Sequence, residues 1–491
     1  MGMLSATGRR GARRCVNATM LFNSLSFALF LPVVFALYWI LGKSTQWQNR
    51  LLLVASYVFY GWWDWRFLFL IAGCSLVNFL AGRHIHESRS RVVRRFWLAG
   101  ACVVSLGALG VFKYYDFFVG SFSQLLSIVG IKWSPLVLNL ALPVGISFFT
   151  FQALSYTIDI SLGKLKPTKD WVEFFAFIAF FPQLVAGPIE RASNLLPQFR
   201  NVRRFDFDKA THGVCLIAFG LFKKMVVADN LSQYVDKTWG DPLFYSSVTC
   251  IVAAVFFAFQ IYCDFSGYSD IARGVAKLFG FELMLNFNSP YLAKSFSDFW
   301  RRWHISLSSW FKDYVYIPLG GNRVSLPKML RNLWIVFILS GLWHGASWSF
   351  IAWGAIHAVY LTLGVAKRKL CLGGGGASLL SRVASVALVD MGVTFAWIFF
   401  RAGTLDNAAL FLKALLRFRF QTSLMALCAG LGPVQFAFCV IAAGLFVASA
   451  LCPRDCHFKR IGSRLLFVVL CAAAIVFVGM PSGGEFIYFR F

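Results

Sequence analysis

Two histidines, each following a tryptophan, are the residues in this sequence best suited to move a proton. The first stands in Ser340-Gly341-Leu342-Trp343-His344-Gly345-Ala346-Ser347-Trp348. Residues 333–344 are too short to cross a bilayer alone, since a spanning helix needs about 20 apolar residues. The glycines on either side of His344 point to a packed junction between two helix pieces. That junction puts His344 at hydrocarbon depth, walled by Trp343 and Trp348. Burial there favours the neutral ring, whose free nitrogen can accept a proton. The residues alone leave three roles open: catalysis, a structural hydrogen bond, or metal ligation. His357 lies about 220° further round an unbroken helix at 3.6 residues per turn, and is read as packing.

The second histidine lies in Asp298-Phe299-Trp300-Arg301-Arg302-Trp303-His304-Ile305-Ser306-Leu307, which runs on to Trp310, Tyr314 and Tyr316. On one helix, Trp300, Trp303, Leu307, Trp310 and Tyr314 share a face by three/four spacing. Arg301, Arg302 and Lys312 point away, the pattern of an amphipathic helix at a membrane interface. His304 falls on the aromatic side, where it is either a hydrogen-bonded packing residue or a functional one. Pro318-Leu319-Gly320-Gly321-Asn322-Arg323 then forms a tight turn offering backbone N–H groups. A third polar interruption, Tyr262-Cys263-Asp264-Phe265-Ser266-Gly267-Tyr268-Ser269-Asp270, reads as a helix break, with Ser269 and Asp270 capping the following helix. Asp264 and Asp270 are either part of that break or line a substrate path.

The elements that hold these residues follow from composition. The chain has 491 residues, 58% hydrophobic and 14% charged, with 54 Phe and 17 Trp. Soluble domains carry roughly 25% charged residues, so a soluble enzyme, a disordered chain and a disulfide scaffold are all excluded. The fold class is all-α, a polytopic membrane bundle of about 11 crossings plus short in-plane or re-entrant helices. Candidate spans lie near 21–41, 51–61 running on to 67–82, 96–113, 136–152, 172–187, 212–228, 248–264, 333–366 as two pieces, 383–400, 434–452 and 465–480. No repeat period and no barrel-type alternation is visible.

The formal net charge of +26 reflects basic loops on the cytoplasmic side, not affinity for nucleic acid. Arg83, Arg89, Arg91, Arg94 and Arg95 face only Glu87, which makes that loop cytoplasmic, as do Lys367-Arg368-Lys369 and residues 454–464. Counting back places 42–50 inside and the N-terminus outside. The closing Phe486–Phe491 and the stretch 401–432, with four bases, also fall outside. Met1–Thr19, with Arg9, Arg10, Arg13 and Arg14, then sits on the wrong side, so it reads as a non-native extension preceding a true start at Met20. Residues 20–491 form one domain with its motif-bearing core at about 140–366. The cysteines lie mostly in apolar runs, where they act as small hydrophobes. Cys452-Pro-Arg-Asp-Cys456-His457 has neither haem spacing nor a full zinc set and reads as a turn. Gly373–Gly376 is a flexible loop.

With these motifs assembled, the sequence resembles the membrane-bound O-acyltransferase family, specifically its bacterial branch that includes the membrane component of alginate O-acetylation. The matching stretches are Leu142–Phe148, Phe181–Pro188, Asp264–Asp270, Phe299–Arg323 and Gly341–Trp348, with the Met20 opening and the closing Phe486-Ile487-Tyr488-Phe489. The resemblance implies that His344 is the catalytic histidine and His304 its second characteristic histidine. It also implies a funnel or tunnel in which a cytosolic acyl thioester meets an acceptor from the outer side, and Trp303, Trp343, Asp264, Asp270 and Asn322 are candidates to line it. In that chemistry His344 is the general base, worth about 10²–10⁴-fold, and His304 orients it or relays the proton, with a covalent acyl-imidazole as the alternative. Asn322 and backbone N–H groups near Gly320 are the candidate oxyanion donors.

The expected donor is acetyl-CoA, its phosphates held by cytoplasmic arginines, with no bound cofactor and no metal. The expected surroundings are membrane lipid in a bacterial inner membrane and periplasmic acetyltransferase partners of a polysaccharide-modification complex. Alginate is the favoured acceptor, with peptidoglycan O-acetylation and D-alanyl transfer as alternatives on the same fold. A secondary transporter with Asp264, Asp270 and His344 at a helix break is the alternative from another class.

Overall fold

Every regular element in the computed structural model, which describes residues 20–42, 44–369, 378–420, 423–451, 461–480 and 486–487, is helical. Met1–Thr19, Gly373–Gly376 and the Cys452–His457 cluster lie outside those residues. Contacts divide the chain into two compact units. The first contains α1 (Leu25–Ile40), α2 (Thr45–Gly61), α3 (Phe67–Glu87), α4 (Arg91–Leu109), α6 (Ile146–Ser161), α7 (Trp171–Ala179) and α8 (Ala192–Arg200). Side chains supply the helix starts there: Ser24 accepts from Phe27 N, and Asp170 from Val172 N and Glu173 N, as N-caps do. Buried amides and hydroxyls are paired in turn. Asn78 donates to Ser105 and accepts from Thr157, and the Arg203 guanidinium donates to Asn49 Oδ1 at 2.6 Å.

The second unit carries both Trp-His motifs. It holds α5 (Tyr115–Ile128), α10 (Asp229–Gly240), most of α11 (Ser247–Leu278), α12 (Phe296–Arg302), α13 (Ile305–Phe311), α14 (Leu326–His344), α15 (Trp348–Lys369), α16 (Leu379–Ala402), α17 (Leu405–Leu415), α18 (Leu424–Leu427), α19 (Pro433–Leu451) and α20 (Ile461–Val478). Helix α9 (Phe207–Leu221) straddles the boundary between the units. Three π-helical turns, Gly110–Tyr114, Phe222–Ala228 and Lys312–Tyr316, interrupt the regular winding. Such insertions re-aim side chains and are frequent at functional sites.

Among the described residues, six helices are long and apolar enough to cross a membrane, and Leu25–Ile40 and Pro433–Gly444 are shorter apolar ones. On α20, Leu465, Leu466, Val469, Leu470, Val476 and Phe477 are all exposed, an apolar sheath that lipid covers and water would not. Two expected spans come out differently. Residues 131–145 are not helical, because Pro143 disfavours helix before it and Gly145, at φ +75, starts α6 only at Ile146. The span at 172–187 shortens to α7, which stops at Ala179 ahead of Pro182.

The paired pieces at 333–366 are the hairpin α14–α15, as the spacing predicts. Its closeness depends on two glycines: a Cβ on Gly341 would fall on the Phe350 carbonyl oxygen, and one on Gly354 on that of Phe337. The helix break expected at Asp264–Asp270 is absent, for α11 runs unbroken through both acids. They need no break because lysines meet them from the adjoining π-helical turn. Lys224 Nζ lies 2.7 Å from Asp264 and 2.8 Å from Asp229, and Lys223 Nζ lies 2.5 Å from Asp270. Gly267 permits the approach, since a Cβ there would sit 2.8 Å from the Gly220 carbonyl.

Candidate active site

The segment bearing His304 is not the single amphipathic helix its spacing predicts. Ser295 caps α12 by accepting from Asp298 N, and Arg302 Nε donates to Asp298 at 2.9 Å. The helix then stops, and His304 takes a left-handed backbone at φ +43 before α13 begins. For a residue with a Cβ this conformation costs roughly 1–2 kcal/mol. Trp303, Leu307 and Trp310 are buried, so the aromatic side faces protein and not a membrane interface.

Asn286 supplies what the broken turn lacks. Its main-chain oxygen accepts from Ile305 N at 2.9 Å. Its Oδ1 accepts from Ser306 N at 3.3 Å and from Ser306 Oγ at 2.9 Å, and lies 3.0 Å from His304 Nδ1. A backbone amide is always a donor, so the Asn286 atom it meets is the oxygen. His304 Nδ1 therefore carries the proton, and Nε2 is left with the lone pair. The Asn286 amide nitrogen donates in turn to Ser269 Oγ of α11 at 3.4 Å. Nothing in the sequence around Asn286 marks it as this hub, and only the fold brings it to the His304 turn.

His344 is the last residue of α14, 4% exposed, with Gly345 extended beyond it. Its ring centroid lies 5.0 Å from Trp343, 5.0 Å from Trp353 of α15 and 5.3 Å from Phe400 of α16. Trp353 and Phe400, not the expected Trp348, complete the wall, since Trp348 is 52% exposed and turned to Ser121. The His304 ring lies 6.4 Å from that of His344 and 5.9 Å from that of Trp343. His357 is fully buried beyond Trp353, 4.9 Å from Trp300 and 5.0 Å from Trp353, and is packing as expected.

The structure thus brings His344, His304 and Trp343 together, with the Trp303 ring stacked on Phe299 at 5.5 Å and tilted against Trp397 at 4.9 Å. It places the other candidates elsewhere. Asp264 and Asp270 are engaged by Lys224 and Lys223. Asn322 is exposed in its turn. The N–H groups beside it are used by the turn itself, Gly320 N donating to Ile317 O and Gly321 N to Tyr316 O. Among the described residues no group of three or more His, Cys, Asp or Glu side chains is placed to hold a metal ion. What remains is a pair of imidazoles, one with a fixed tautomer, in an aromatic and water-poor enclosure. Such a pair can take a proton from an attacking hydroxyl and deliver it to a leaving group.

The model of the MBOAT, membrane-bound O-acyltransferase family, matches residues 165–370, which include both histidines. The chain is 40% identical over 405 residues to the Pseudomonas aeruginosa protein named "Probable alginate O-acetylase AlgI", covering 81% of this chain and 75% of that one. It is 35% identical over 432 residues to the peptidoglycan O-acetyltransferase of Helicobacter pylori, covering 81% and 80%. It is also 28% identical over 268 residues to the teichoic acid D-alanyltransferase of Streptococcus thermophilus, covering 50% and 63%.

Proposed function

The chain belongs to the membrane-bound O-acyltransferase family, and we propose that it moves acetyl groups from cytosolic acetyl-CoA across a bacterial inner membrane for O-acetylation of an extracytoplasmic polysaccharide of the alginate kind. The observation that carries this reading is the convergence of the His304 and His344 rings, 6.4 Å apart, inside a buried aromatic enclosure. In the proposed step His344 takes the proton of a hydroxyl as its oxygen attacks the thioester carbonyl. A C–O bond forms, the C–S bond breaks, and the proton passes to the departing thiolate. His304, held by Asn286, presents Nε2 to the reacting groups as orienter or relay. Periplasmic acetyltransferase partners of a polysaccharide-modification complex receive the group and place it on the polymer. The support for an alginate-like acceptor is the 40% identity to the Pseudomonas protein. The transporter alternative rested on a helix break that α11 does not contain.

The test supplies purified protein with acetyl-labelled acetyl-CoA, partner proteins, and mannuronate oligosaccharide or glycan strands as acceptors. Stoichiometric release of coenzyme A with base-labile label on the oligosaccharide is expected. Label on the glycan alone would replace the acceptor, and no thioester cleavage at all would overturn the reading. Asn286→Ala leaves the Ser306 amide and the His304 ring without their acceptor. Its kcat is expected to fall about 10²-fold, the scale of a misplacement near 1 Å at a reacting group, with the thiol released per mole of folded protein as the measure. An unchanged kcat would remove His304 from the mechanism.

A further inference from the structure

The His344 turn is held from outside the two Trp-His motifs. Helix α14 ends at His344, and the last carbonyls of a helix have no intrahelical donor and form the negative pole of its dipole. Trp343 and His344 are both buried, so water has little access to theirs. Lys113 serves them instead: its Nζ donates to the Trp343 carbonyl at 2.6 Å, lies 3.5 Å from the His344 carbonyl, and sits 5.8 Å from the centre of the Trp343 ring. Lys113 belongs to the π-helical turn Gly110–Tyr114 that joins α4 to α5. From that turn on, Lys113, Phe117 and Ser121 follow at four-residue spacing along one face. That face runs the length of the α14–α15 junction, where Phe117 packs 5.7 Å from Trp348 and Ser121 meets Trp348 Nε1 at 3.2 Å.

We infer that Lys113 is a positioning residue for the acyl-transfer step. Its Nζ fixes the final turn of α14 through the hydrogen bond to the Trp343 carbonyl, and so fixes where the His344 imidazole stands between Trp343 and Trp353. Lys113 stands in the π-helical turn itself, a kind of turn frequent at functional sites. The inference rests on the proposed role of His344. Lys113 itself acts through the backbone, so its loss is felt in turnover and not in donor affinity.

The experiment compares wild type, Lys113→Met and Lys113→Arg as detergent-purified full chains. Each is normalised to monodisperse protein by size exclusion, and coenzyme A release is followed against acetyl-CoA concentration. Lys113→Met, which keeps the length and loses the donor, is expected to drop kcat by at least about tenfold with the acetyl-CoA KM within twofold of wild type. Lys113→Arg, which restores a long side chain ending in N–H donors, is expected to recover most of that loss. Should Lys113→Met fail to elute as folded protein, Lys113→Gln, a neutral donor, takes its place with an intermediate kcat expected. A wild-type kcat in the neutral variant, or an arginine variant as slow as the neutral one, would overturn the assignment. Inactivity of wild type itself would instead remove the acyltransferase reading on which the inference stands.

Discussion

Lys224→Met is expected to leave almost no folded protein in the membrane fraction. Lys224 is 1% exposed, and its ammonium stands between Asp264 at 2.7 Å and Asp229 at 2.8 Å, both buried. Removing one partner of a buried ion pair typically costs 3–5 kcal/mol, because the surviving charge has neither water nor counter-ion. Here two carboxylates lose the same ammonium at once. The loss also reaches the chain's end: Asp264 Oδ2 accepts from Ile487 N at 2.9 Å, Lys224 lies 4.5 Å from the Phe486 ring, and Tyr268 packs on that ring at 4.7 Å. The cluster therefore fastens Phe486–Ile487 to α11. The triple variant Lys224→Met, Asp229→Asn, Asp264→Asn removes the charges together and leaves Lys223 paired with Asp270. It is expected to recover most of the fold, since neutralising a whole buried cluster is often tolerated. Thermal unfolding in detergent is the measure. A single variant melting with wild type would mean the charges contribute nothing. A triple variant no better than the single one would mean shape, not charge balance, is what matters.

That cluster also shows where sequence reading stops. Asp264 and Asp270 stood out as acids in an apolar run, and pairing them required Lys223 and Lys224 from about forty positions earlier, inside another candidate span. A helix break was the cheapest local explanation, and a contact between helices replaced it. The same limit applies at His304. Three/four periodicity describes 298–316 as one helix, but it has no term for Asn286 reaching in to stabilise a left-handed residue. The hairpin at 333–366, by contrast, was legible, because segment length and the glycines flanking His344 are local properties that point to a packed junction, whereas the close approach at Gly354 shows only in the fold. So were His344 and Trp343, since an ionisable residue among apolar ones is conspicuous in one dimension. Trp353 and Phe400, which wall His344, look like any other buried aromatics until packing brings them to the ring. Lys113 closes the candidate span 96–113 and nothing local singles it out, because the carbonyl it serves is more than two hundred residues away.

The second large effect concerns His344 itself. Its ring is enclosed by Trp343, Trp353 and Phe400, so a substituted side chain has no neighbouring base of equal placement, and water is largely excluded. Replacing the imidazole by a methyl group leaves a cavity, but it leaves the α14–α15 hairpin and its glycine contacts intact. Loss of a positioned general base is worth about 10²–10⁴-fold in rate, and uniform donor binding elsewhere is untouched, so kcat falls while KM holds. Glutamine at this position keeps a polar tip yet cannot accept and pass on a proton, and is expected to be as slow as alanine. The most direct measurement is coenzyme A released per mole of folded protein by wild type and His344→Ala under identical acetyl-CoA and acceptor. Turnover is expected in the first and a loss of at least about 10²-fold in the second, with matched thermal unfolding. Equal turnover in the two would contradict the role of His344 as general base.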